Sequence, residues 1–66
     1  MNKAKINRAI KKFGLTIEGL RGDGCFYFID SEGYQIGETV YVCYLNQLSL
    51  ERWQLKAVQA KSYGRL

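Results

Sequence analysis

The chain reads as an α+β domain of αβββα order, a three-stranded antiparallel β-meander with an N-terminal and a C-terminal helix on one face. Three observations predict it. Residues 39–45, Thr-Val-Tyr-Val-Cys-Tyr-Leu, concentrate the β-branched, aromatic and aliphatic side chains that fit a pleated, half-buried surface. A helix start follows almost at once. At the other end, an apolar stripe of helical period closes on a glycine.

The second helix is announced by its cap. Ser49 stands where a hydroxyl accepts from an amide two or three residues on. Leu48 and Trp53 then occupy the positions of a hydrophobic staple, and Glu51 faces the positive end of the helix dipole. From residue 50 to about 62 the helix presents Leu50, Trp53, Ala57, Val58 and Ala60 over a broad arc, with Leu55 at its edge and Gly64 as the stop. In the first helix Asn2 is the cap, Ile6, Ala9, Ile10 and Phe13 form the i, i+3, i+4, i+7 stripe, and Gly14 ends it.

Between the helices, residues 15–18 alternate apolar and polar, so Leu15 and Ile17 share a strand face. Residues 19–24 form a glycine-dense turn, and residues 25–29 a second strand. Asp30-Ser-Glu-Gly33 fits a type I turn. Residues 34–38 either continue that hairpin or form a loop, with Gly37 marking a bulge. The third strand is placed at residues 39–45. The inward set is then Ile6, Ile10, Phe13, Leu15, Ile17, Phe26, Phe28, Val40, Val42, Leu50 and Trp53, and strand parity turns Cys25, Tyr27, Tyr41 and Cys43 to the uncovered face.

At 66 residues the chain is one domain, burying roughly 60% of its unfolded surface. A hydrophobic fraction of 47% with nine aromatic residues, one Trp, five Tyr and three Phe, suits a folded core. No segment is long and apolar enough for a signal sequence or a membrane span, which sets an expectation of a cytoplasm with reduced thiols. Cys25 and Cys43, without any histidine, cannot complete a four-ligand zinc site, so no metal and no cofactor are expected. They read as inert thiols among apolar neighbours.

The net charge of +4 is polarised. Residues 1–13 carry five cations and no acid; residues 14–51 carry six acids against Arg21; residues 52–66 add four cations against none. Such a bipolar surface weakens a simple nucleic-acid reading of the basic pI.

The segments Gly22-Asp-Gly-Cys-Phe-Tyr-Phe28, Thr39-Val-Tyr-Val42 and Leu45-Asn-Gln-Leu-Ser-Leu-Glu-Arg-Trp53 resemble small proteins encoded by tailed bacteriophages and prophages. The likeness spans about residues 6–53. It implies a bacterial cytoplasm during infection or lysogeny, and association with stoichiometric inhibitors of host defence, anti-CRISPR proteins among them.

Two surfaces are candidates for function. Lys3, Lys5, Arg8, Lys11 and Lys12 on the first helix can track phosphates or an acidic partner, or serve as the solvated side of an amphipathic helix. Tyr27, Tyr41 and Tyr44 can form a protein-binding or homodimer surface or stack bases, or simply pair across strands. Arg21-Gly-Asp23 is a turn, and Gly19, Gly22 and Gly24 precede a strand where a dinucleotide fingerprint needs a helix. No Ser or Cys has a base beside it and no carboxylates are paired, so no catalytic residue is assigned. The reading is a non-enzymatic phage or prophage protein that blocks a bacterial protein target by protein–protein binding, with a nucleic-acid-binding accessory protein as the alternative.

Overall fold

The computed structural model describes residues 1–19 and 22–66; Leu20 and Arg21, within the predicted glycine-dense turn and the Arg21-Gly-Asp23 tripeptide, lie outside the described residues. The element order is α1 (Lys3–Ile10), β1 (Thr16–Glu18), β2 (Phe26–Ile29), β3 (Gln35–Val40) and α2 (Leu50–Tyr63). The sheet order is β1-β2-β3, antiparallel throughout, so the predicted αβββα class is the observed one.

The helix ends follow the local chemistry. Asn2 caps α1, its side-chain oxygen accepting from the Lys5 amide at 2.9 Å. At Lys11–Phe13 the last turn tightens to a 3-10 helix, and Gly14, at φ 73°, turns the chain out through the left-handed region. Ser49 caps α2 by accepting from the Arg52 amide at 3.2 Å, and Gly64 takes the C-terminal position at φ 89°.

Both helices lie on one face of the sheet. Ile6 and Ile10 of α1 and Trp53, Ala57 and Ala60 of α2 close over Leu15, Ile17, Phe26, Phe28, Ile36 and Val40 in one buried cluster. Trp53 is its centre. Its ring meets Phe26 and Phe28 edge-on at 6.1 and 6.2 Å, and its indole N–H donates to the Leu45 carbonyl at 2.7 Å. The Ile17–Phe28 and Phe28–Ile36 pairs stand on the covered face, while Thr16, Glu18, Tyr27, Ile29 and Gln35 alternate to the other. Of the expected core, Phe13, Val42 and Leu50 are half-buried at its margin, and Ile36 takes a central place instead.

One element departs from expectation. The third strand covers Gln35–Val40, not residues 39–45. Asp30 gathers the turn: its carboxylate accepts from the Glu32 and Tyr34 amides, and its carbonyl from Gly33, so pairing restarts at Gln35 opposite Ile29. Past Val40 the chain folds back in a tight turn centred on Tyr41, the Val42 amide donating to the Val40 carbonyl at 3.2 Å. The Gln47 side chain then accepts from the Cys43 and Tyr44 amides and winds Leu45–Gln47 into a 3-10 turn.

The bulge expected at Gly37 is present within β3. Register slips between Phe28–Ile36 and Phe26–Val40, with Gly37 inside the slip at φ 73°. A Cβ built on Gly37 meets Ala60 Cα and Cβ at 2.5 Å, so glycine against alanine sets how closely α2 lies on β3.

Candidate partner-binding surfaces

The cations of α1 sit where the helical period puts them. Ile6 and Ile10 face the core, which turns Lys5, Arg8, Lys11 and Lys12 to solvent and leaves Lys3 half-buried. Among the described residues none of the five makes an ion pair; both ion pairs belong to Arg65. Lys12 instead lies over the Phe13 ring at 5.4 Å. The result is a short helix and 3-10 turn with a cationic side that makes no ion pair among the described residues.

The three tyrosines do not share one surface. Tyr27 stands on the uncovered sheet face, half-buried, opposite Glu18. Tyr41 is not on the sheet, because β3 ends before it and the tight turn projects it outward, 81% exposed. Cys43 is carried out by the same departure and is exposed rather than packed among apolar neighbours, whereas Cys25 is half-buried; both are free thiols. Tyr44 lies at the entrance to α2, and there the two predicted sets touch. Tyr44, Lys3, Met1, Asn2, Leu45 and Asn46 line a cleft of about 350 Å³ floored by Phe26. Tyr27 and α1 are on opposite sides of the sheet, so no single flat partner covers both.

A third feature escaped the sequence reading. After Gly64 the chain returns alongside β3. The Gly37 amide donates to the Gly64 carbonyl at 2.8 Å and the Leu66 amide to the Gln35 carbonyl at 3.1 Å, bracketing an antiparallel bridge between Ile36 and Arg65. The Arg65 guanidinium reaches the β2–β3 turn, with Nε 3.2 Å from Asp30 Oδ2 and a terminal nitrogen 2.8 Å from Glu32 Oε2. Its carbon lies 4.2 Å from the centre of the Tyr34 ring. Partial burial works against the Asp30 carboxylate, but the Tyr34 and Glu32 amides and Arg65 outweigh it and hold its pKa below the usual value. The only signals in the sequence are an arginine just past a helix-ending glycine and an acidic turn followed by tyrosine.

Among the described residues no group of three or more His, Cys, Asp or Glu side chains is placed to hold a metal ion, and no helix is long and apolar enough to cross a membrane. No protein-family model, no curated protein and no solved structure matches this chain.

Proposed function

We propose that this chain is a non-enzymatic phage or prophage binding protein, a stoichiometric inhibitor that occupies a protein of a bacterial defence complex. The observation that carries the binding reading is the cleft that the exposed Tyr44 lines together with Lys3 and Leu45, with the exposed Tyr41 three residues before it in the chain. Exposed aromatic side chains next to a concave apolar floor are what protein interfaces are enriched in. Lys3 of α1 lines that cleft and favours an acidic group on the partner. The bacterial setting rests on the likeness to phage-encoded proteins alone.

The test is functional. Expression in bacteria carrying an active defence system should raise phage plating, and a purified target complex should lose activity at one equivalent of inhibitor. Tyr41→Ala with Tyr44→Ala should abolish both effects while the circular dichroism spectrum is unchanged. Absence of any effect on plating across defended hosts, together with tight DNA binding, overturns the reading.

A nucleic-acid-binding role has one specific observation in its favour, the cations Lys5, Arg8, Lys11 and Lys12, exposed and without an ion pair among the described residues. Four phosphate contacts give a slope of log affinity on log salt of roughly −3 to −4. A flat salt response removes it.

A further inference from the structure

Residues 64–66 occupy the outer edge of β3 through two backbone hydrogen bonds, and none of them belongs to the buried cluster. The buried cluster ends at Ala60, while Tyr63 and Leu66 are exposed and the Arg65 side chain is 53% exposed. Gly64, at φ 89° and ψ −162°, is the pivot that lets the tail leave α2 and lie down on the strand. A segment held by one exposed and one partly buried ion pair and a short backbone ladder opens at lower cost than the fold.

What the tail covers is a recognition surface with three parts. The Gln35 carbonyl and Gly37 amide offer backbone pairing to any extended segment. Asp30 and Glu32 offer two carboxylates to one guanidinium, at 3.2 and 2.8 Å. Tyr34 offers the flat face on which a guanidinium stacks. We propose that this edge is a receptor for an extended peptide segment bearing an arginine opposite Ile36, supplied by a partner protein that displaces residues 64–66. The chain's own Gly-Arg-Leu tail is the occupant in cis and shows the chemistry the site selects. The inference goes beyond the inhibitor reading, and it holds whichever macromolecule α1 faces.

The experiment uses the full chain, labelled with nitrogen-15, as wild type and as Arg65→Ala. Each is titrated with the acetylated peptide Ser-Tyr-Gly-Arg-Leu and with versions carrying lysine or alanine in place of arginine. In Arg65→Ala the amides of Asp30, Glu32, Ile36 and Gly37 should shift saturably, and about tenfold more weakly with the lysine peptide, which lacks the planar fork. Wild type should bind at least about tenfold more weakly than Arg65→Ala, because the tethered tail competes at millimolar effective concentration. No saturable shift at this edge in folded Arg65→Ala, or equal affinity for the alanine peptide, overturns the proposal. Dimerisation of wild type that rises with concentration while the peptide fails to bind also overturns it, in favour of tail exchange between copies. A measurement independent of any variant is hydrogen exchange in wild type. The Gly37 and Leu66 amides should exchange at least about tenfold faster than the Phe28 amide; exchange of all three only through global unfolding means the tail does not open, and the receptor is never free.

Discussion

Arg65 and Asp30 meet across 35 positions of sequence, Nε to Oδ2 at 3.2 Å, and so tie the last residues of the chain to the β2–β3 turn. Because the turn amides and Arg65 lower the Asp30 pKa on folding, its contribution is fully present above the unfolded value, 3.8, and is lost as pH falls through the lower folded value. Asp30→Asn keeps an oxygen for the turn amides and removes the charge. Thermal melts should find the variant less stable than wild type at pH 7, with the gap closing as pH falls below the unfolded value. A gap that stays constant with pH refutes the linkage.

Gly37 and Gly33 separate two costs. Both have positive φ, but a Cβ on Gly33 meets nothing within 4 Å, whereas one on Gly37 runs into Ala60. Gly33→Ala should cost about 1 kcal/mol of backbone strain. Gly37→Ala adds overpacking, for roughly 2–4 kcal/mol in all. Urea unfolding of the pair measures the difference.

Trp53 is fully buried, and truncation to alanine removes its ring from Phe26 and Phe28 and leaves the Leu45 carbonyl without its donor. Such a change costs about 3–5 kcal/mol, comparable to the about 3–5 kcal/mol a core of this size supplies. Trp53→Ala should be unfolded at 25 °C by circular dichroism, and Trp53→Phe folded but less stable.

Charge reversal on α1 is expected to be structurally silent. Lys5 and Arg8 are exposed and make no ion pair among the described residues, so Lys5→Glu with Arg8→Glu should shift unfolding by no more than about 0.5 kcal/mol per site. Loss of partner binding by this variant then reports the surface rather than the fold.

What was legible in the sequence was whatever local chemistry decides. Asn2, Gly14, Ser49 and Gly64 mark the helix ends because caps act within a few residues. Ile17, Phe26, Phe28 and Trp53 read as core because their period matches their element. The third strand slipped because residues 39–45 have strong strand composition, while the start of pairing is set by the Asp30 turn and its end by the turn at Tyr41. Composition cannot register either event. Among the candidate site residues, the α1 cations stood where their period put them, but the tyrosines dispersed because Tyr41 lies past the strand end. The Arg65 contacts went unread since they join residues more than 30 positions apart.

The Asn7 side chain accepts from the Ile17 amide at 2.7 Å and thereby stoppers the outer rim of β1, as residues 64–66 stopper that of β3. A sheet this small would otherwise present two open ladders on which neighbouring molecules stack into fibres. One carboxamide and residues 64–66 thereby leave fewer outward-facing ladder groups on which a neighbouring copy could pair.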